Sequence, residues 1–509
     1  MKQAKCLQFI LAAVMAMGLT ACDAPESVDV STPDSKPGPA QNTPQEENVA
    51  TTILAAERTV IVDLSVQKGE PRYVAAGFLH GLSEDCSKPG PAYFDVLKPR
   101  NFRGGSLGGY WIDGKMDENL RMLKTYYEYL SPRGVTIDYL LMDAWGSWWL
   151  NFFGGQPIRF PGDNDEWKDY ETFCKTIATF VRDNRLQNFQ YNLWNEPNLV
   201  AWGQSQFWTR PKSQFYEMWR RGYRAIQSVH PDAVISGPDY AVYNRTMDWK
   251  TDVGEFLDFC KEHDVVPQVL TLHALPGDPV EHKKFADNAF AERGITGVEI
   301  YINEYAHQEE QSPSASAWYI ARTERAGVRA GRAIWPRKVP VEGAPYESLS
   351  GELNGLMVLS KNEDGELILA PAGNWWVYKR YAEITGMLVE TTASNDNTID
   401  AVAGVDHTAQ KARILLGANG TKNVGRVAVN IRGLEAVPYW KKDGKIQVMI
   451  EEIPYNSGQS VEIPEVNRSV EAAIVGGKLT LEIDWANPDT AYIITLCGAE
   501  RPESSLEIR

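Results

Sequence analysis

Apolar and polar positions follow two regimes along this chain. From about residue 74 to 390, short apolar runs bounded by turn residues are separated by longer stretches with helical spacing; beyond 391 the period falls to two. The runs Val74–Gly81, Arg100–Gly105, Val135–Met142, Asn188–Trp194, Ala233–Pro238, Gln268–His273, Val298–Ile302 and Arg332–Trp335 predict eight strands. Between them, Leu120, Leu123, Tyr127 and Leu130 mark a helix over Met116–Leu130, and Trp167, Tyr170, Phe173, Ile177 and Phe180 mark a second. Further helices are expected over about 206–229, 315–329 and 375–388. Strand and helix alternate eight times. That favours a closed (β/α)8 TIM barrel over an open doubly wound sheet, which would carry a glycine fingerprint after its first strand. After the barrel, 399–405, 412–416, 427–431, 446–450, 470–475, 479–483 and 491–496 read as strands of a β-sandwich. The β-branched run Thr59-Val60-Ile61-Val62 is expected to join that sandwich from the amino-terminal side.

The first residues change the picture of the organisation. Lys2 and Lys5 precede an apolar run from Leu7 to Leu19, too short to span a bilayer, and Ala21-Cys22 follows. The pattern resembles a bacterial lipoprotein box, which implies cleavage before Cys22 and a lipid on its thiol; Asp23 resembles an inner-membrane retention signal. Residues 22–51 are rich in Pro, Ser, Asp, Glu and Gln and cannot bury enough to fold, so they read as a tether. The expected division is therefore 1–21 signal peptide, 22–51 lipidated cysteine and tether, 52–73 sandwich strands, 74–390 barrel and 391–509 sandwich. The expected location is the cell envelope, at a membrane surface or in the periplasm.

A formal net charge of −16 argues against nucleic acid as a partner. Cys86, Cys174, Cys260 and Cys497 show no CxxC or Cys/His spacing, which argues against zinc. No cofactor is called for.

Two strand ends carry the chemistry. The fourth strand runs out into Trp194-Asn195-Glu196-Pro197, the seventh into Asn303-Glu304-Tyr305, and the two glutamates are 108 residues apart. Side chains at the carboxyl ends of barrel strands face the mouth, so both carboxyls belong in one site. Two such groups about 5 to 5.5 Å apart hydrolyse a glycosidic bond with retention, one attacking the anomeric carbon and the other protonating the leaving oxygen.

Trp194-Asn195-Glu196-Pro197-Asn198-Leu199, Phe207-Trp208, Phe215-Tyr216, Ala225 to Pro231 and Ser236-Gly237-Pro238 together resemble glycoside hydrolase family 39 of the clan A retaining barrels, a family with β-xylosidases and α-L-iduronidases. The resemblance implies Glu196 as acid/base and Glu304 as nucleophile. It implies Asn195 on the hydroxyl beside the anomeric carbon, Arg103 holding the nucleophile ionised, and His273 lining the same subsite. Here Asn303-Glu304-Tyr305-Ala306-His307 departs from the family pattern, as does Asp143-Ala144-Trp145-Gly146-Ser147-Trp148-Trp149, so the sugar is left open. Asp143, Trp145, Trp149, Tyr305, Trp335 and His80 are the remaining candidates for substrate contact; aromatic faces suit sugar rings. The expected activity is an exo-acting retaining glycosidase on oligosaccharides. An endo-acting enzyme on an acidic or anhydro-sugar polysaccharide and a non-catalytic glycan-binding lipoprotein are the alternatives.

Overall fold

The structure, a computed structural model, describes residues 58–106, 116–142, 159–199, 201–205, 207–242, 248–333, 335, 351–362, 364–437, 444–464 and 466–497. The lipoprotein segment with Cys22 lies outside them, as do Asp143, Trp145 and Trp149.

Strand β1 (Arg58–Gly69) precedes a closed barrel of eight parallel strands: β2 (Gly77–Leu79), β3 (Asn101–Ser106), β4 (Thr136–Leu141), β5 (Phe189–Leu193), β6 (Val234–Tyr240), β7 (Val269–Ala274), β8 (Glu299–Tyr305) and β9 (Arg329–Arg332). Strands covered on both faces need apolar residues at consecutive positions, which is why they appear as runs; every residue of β5 and β7 is buried. Around them lie α1 (Pro91–Phe94), α2 (Met116–Leu130), α3 (Lys168–Asp183), α4 (Lys212–Val229), α5 (Trp249–Glu262), α6 (Pro279–Arg293) and α7 (Pro313–Ala326).

Three expected boundaries move, each for a local reason. The helix expected from residue 206 starts at Lys212, because Pro211 disfavours helical backbone at the residue before it. The helix expected to reach 329 ends at Ala326, where Gly327 takes φ +66°, so the eighth strand starts at Arg329 rather than Arg332. The stretch read as one helix over 375–388 is α8 (Gly373–Ala382), then a turn at Gly386 with φ +75°, then a strand. A Cβ at Gly386 would lie 2.2 Å from the carbonyl oxygen of Val405. Before α8, β10 (Met357–Lys361) and β11 (Leu367–Pro371) form a hairpin that periodicity did not predict.

The remaining strands are β12 (Met387–Thr392), β13 (Ile399–Asp406), β14 (Lys411–Ala418), β15 (Gly425–Arg432), β16 (Lys445–Ile453), β17 (Val466–Ala473), β18 (Leu479–Trp485) and β19 (Ala491–Cys497). They form one nine-stranded sheet in the order β17-β16-β19-β14-β13-β12-β1-β15-β18, so β1 does join it, antiparallel to β12 and parallel to β15. The sheet folds over its own core: alternate residues Leu479, Leu481, Ile483 and Trp485 of β18 point in, with Val60, Val62 and Leu64 of β1. Its two edges approach, since Arg468 Nη1 on β17 donates to the Glu482 carbonyl on β18 at 3.4 Å.

Helix α7 joins the two domains. Gly417 of β14 approaches it so closely that a Cβ there would lie 2.1 Å from the Trp318 backbone nitrogen. Arg322, nearly fully buried, is held by Asp278 at the start of α6 (2.6 Å) and by Asp400 of β13 (3.2 Å). Cys86, Cys174, Cys260 and Cys497 are free and buried. No helix among the described residues is long and apolar enough to cross a membrane.

Candidate active site

The carboxyl ends of the barrel strands converge on a buried charged cluster. Glu196, three residues past β5, and Glu304, on β8, each place one carboxyl oxygen within 4.8 Å of the other. His273 of β7 stands between them, with Nδ1 2.9 Å from Glu196 Oε1 and Nε2 3.6 Å from Glu304 Oε1. Among the described residues these three also form the one His/carboxylate group spaced to ligate a cation.

Arg103 of β3 forms the floor of the site. Its Nη1 donates to Glu304 Oε1 at 2.5 Å, and its Nη2 donates to Asn195 Oδ1 at 2.7 Å and to Asp239 Oδ2. Its Nε lies 3.8 Å from Asp138 Oδ2. Because Arg103 holds the carbonyl end of Asn195, the amide NH2 is the end left for a ligand hydroxyl. Glu304 and its neighbour Asn303 both reach this cluster, although successive strand residues normally face opposite ways. A bulge explains it: Leu272 pairs Ile302 and the next residue, His273, pairs Glu304, so Asn303 is an extra residue on β8. Asn303 Nδ2 donates to Asp239 Oδ1 at 2.8 Å.

The electrostatics follow from burial and proximity. Burial opposes the Arg103 charge, but Asp239, Glu304 and Asp138 hold its pKa above the ordinary value. Burial pushes the Glu304 carboxyl up; His273 and Arg103 pull it down, while Glu196 and Asp239 add to the rise. Burial works against a protonated His273, yet Glu304 and Glu196 raise its pKa on balance. Asp138 is pushed up to about 6, first by burial and then by Asp239. His80, just past β2, donates its backbone N–H to the Arg103 carbonyl at 2.7 Å, and burial together with the Arg103 charge lowers its imidazole to about 4. It is neutral at physiological pH.

Five non-glycine residues at these strand ends hold left-handed backbone: His80 (φ +53°), Trp194 (+75°), Glu196 (+42°), Asp239 (+54°) and Ala306 (+68°). Such conformations are costly outside glycine and cluster where side chains must be aimed.

Of the candidates read from the sequence, the structure brings Glu196, Glu304, Asn195, His273 and Arg103 into one cluster, with His80 beside Arg103. Trp335 sits at the rim, its Nε1 donating to the Ala306 carbonyl at 2.8 Å and its ring against His307. Tyr305 is not in the mouth. One residue past Glu304, it points into the barrel wall, fully buried, with its hydroxyl on the Ala75 carbonyl (3.0 Å) and its ring against Tyr319. Asp239, Asp138, Asn192 and Asn303 were missed. Asp239 had a signal: it directly follows Ser236-Gly237-Pro238 at a strand end, as Glu196 and Glu304 follow theirs.

A separate cavity of 410 Å³ lies near the amino-terminal end of β3 and the second sheet, lined by Lys98, Glu383, Asp406 and Arg413 among others. Glu383 there is taken up by Arg413, whose Nη1 lies 2.5 Å from its Oε2; Asp406 accepts from the Thr385 hydroxyl at 2.6 Å and Lys98 donates to the Tyr73 hydroxyl at 2.7 Å.

No family model matches the chain. Two curated relatives are 23% identical: a 3-O-α-D-galactosyl-α-L-arabinofuranosidase of Bifidobacterium longum subsp. longum, over 92% of this chain, and a 3-O-β-L-arabinopyranosyl-α-L-arabinofuranosidase of Bifidobacterium pseudocatenulatum, over 75%. This chain spans 42% and 41% of their lengths. Among solved structures, N2152 from Neocallimastix frontalis superposes with a TM-score of 0.66 at 24% identity, covering 87% of this chain and 100% of that one. A monomeric β-xylosidase from Caulobacter crescentus CB15 gives 0.56 at 14%, with the same coverages. The family 39 enzyme from Xanthomonas axonopodis pv. citri also gives 0.56 at 14%, covering 89% and 99%. This chain thus shares its fold with a β-xylosidase and a family 39 enzyme of known structure.

Proposed function

We propose that the protein is a retaining glycoside hydrolase in which Glu304 attacks the anomeric carbon and Glu196 protonates the leaving oxygen. The observation that carries this reading is that the two carboxyls each place an oxygen within 4.8 Å of the other in a buried barrel mouth, well short of the about 6.5–9.5 Å separation that seats a nucleophilic water between base and sugar. Arg103 holds the Glu304 oxygen in place and favours its ionised form. Once the glycosyl ester forms, the negative charge on Glu304 is gone, and Glu196 becomes the base that activates water.

Both curated relatives carry names describing an α-L-arabinofuranoside substituted at O3 by a second sugar. We place substituted α-L-arabinofuranosides first among candidate substrates and exo release from a non-reducing end first among modes of action. An early product mixture of one released unit supports exo action, whereas a ladder supports the endo alternative. The leader pattern around Ala21-Cys22 supports lipid anchoring in the envelope; Cys22→Ser would abolish incorporation of labelled fatty acid.

The deciding experiment uses aryl glycosides of arabinofuranose, xylose, galactose, fucose and uronic acids. Glu304→Gln should lower kcat/KM by about 10³-fold or more, corresponding to about 4 kcal/mol of transition-state stabilisation. Glu196→Ala should retain turnover of substrates with activated leaving groups when azide is added, giving a glycosyl azide of retained configuration. Activity within tenfold of the parent in both variants would sink the assignment.

A further inference from the structure

Asp239 makes more connections to the cluster than either glutamate, yet it is fully buried and cannot meet a substrate. Its Oδ2 accepts from Arg103, and its Oδ1 accepts from Asn192 Nδ2 at 2.9 Å and Asn303 Nδ2 at 2.8 Å. Its backbone N–H donates to Thr271 Oγ1 at 3.1 Å, and its carbonyl accepts the Glu196 backbone N–H at 3.0 Å. One residue of β6 thus fastens β3, β5, β7 and β8. Three donors on two oxygens require an acceptor with no proton of its own, which a carboxylate is and an amide is not.

We propose that Asp239 is a positioning residue that competes with Glu304 for the Arg103 guanidinium while holding the backbone of Glu196 at the correct distance from that same arginine. The inference rests on Glu304 being the nucleophile. One cation faces three carboxylates here: Glu304 on Nη1, Asp239 on Nη2 and Asp138 beside Nε. Whatever charge Asp239 neutralises is unavailable to Glu304, and the Asp239 charge itself raises the Glu304 carboxyl. Among the described residues, the titratable and charged groups around Glu304 are Arg103 from β3, Asp138 from β4, Glu196 after β5, Asp239 from β6 and His273 from β7. His80 after β2, Tyr301 of β8 and Arg329 of β9 lie behind them and are linked to the same charges. Asp239 therefore sets the nucleophile to ionise at a higher pH than Arg103 alone would allow.

The test is the pH profile of kcat/KM for Asp239→Asn and Asp239→Ser. With the anion gone, the acid limb should move to lower pH by about half a unit or more, the sign expected when a negative neighbour of Glu304 is removed. A part that is only structural would lower kcat alike at every pH and leave the limb where it stands; an unmoved or upward-moved limb in a folded variant overturns the proposal. If neither variant folds, Asn192→Ala takes their place, because it removes a donor from Asp239 and leaves more of that charge facing Arg103 and Glu304: an upward shift of the limb supports the competition, and an unmoved or downward-moved limb overturns it. Glu304→Gln is assayed alongside. Were it active, the reading of the nucleophile would fail; were it inactive while the limb stayed fixed, only the role of Asp239 would.

Discussion

His273 Nδ1 lies 2.9 Å from Glu196 Oε1, which joins β7 to the end of β5 across the mouth. The same ring reaches towards Glu304, and its charge lowers the Glu304 carboxyl. Replacing it by Asn takes that positive neighbour away from Glu304. His273→Asn should therefore shift the acid limb of kcat/KM to higher pH, opposite in sign to the change expected on removing the Asp239 charge, with about a 10²-fold loss at the optimum. A pH series on a single aryl glycoside measures both.

Glu304 is held at a stability cost. Its folded pKa is raised above the ordinary value, so the folded state binds the proton more tightly than the unfolded chain. The parent is then penalised once the pH rises past the ordinary glutamate value, and the penalty is complete above the raised one. Glu304→Gln carries no such charge, and Arg103 keeps Asp239 and Asp138 as partners. At neutral pH this variant should melt a degree or more above the parent, since 1 kcal/mol moves the Tm of a 150–250-residue domain by about 2–4 °C. The difference should close as the pH falls below about 4, which calorimetry at several pH values would show.

Arg322 couples the barrel to the second domain through Asp278 and Asp400. Arg322→Ala leaves the partly exposed Asp278 without its cation and the buried Asp400 with Arg325 alone, at 2.5 Å. The expected cost is about 3 kcal/mol, and scanning calorimetry should show a lower or split transition.

Gly417→Ala should also destabilise, for a different reason. Its new methyl would collide with the backbone of α7 at Trp318 and Ser314, which cannot rotate away as a side chain could. A loss of about 1–3 kcal/mol is expected, read from denaturant midpoints.

The barrel was legible because strands buried on both faces cannot hide their composition, and the glutamates because each interrupts such a run at its end. The strand Met387–Thr392 was masked by the helical spacing running into it from Trp375, with a single glycine as the break. Asp239 and Asp138 belong to strands whose apolar neighbours made the assignment, and the hydrogen bonds that give them meaning arise only from register between strands. Tyr305 was misplaced by treating the residue after Glu304 as part of the same face. A pleated strand turns it away.

Strand β1 lies between β12 and β15, with Ile61 opposite Thr392 and also beside Asn430. In order of synthesis, β1 is made before the whole barrel and both its partners after it. At ribosomal rates of about 5–20 residues per second, this apolar strand waits on the order of tens of seconds for a neighbour. The barrel therefore folds as an insertion inside an unfinished sheet, and shielding β1 during that interval becomes a kinetic requirement on making the protein.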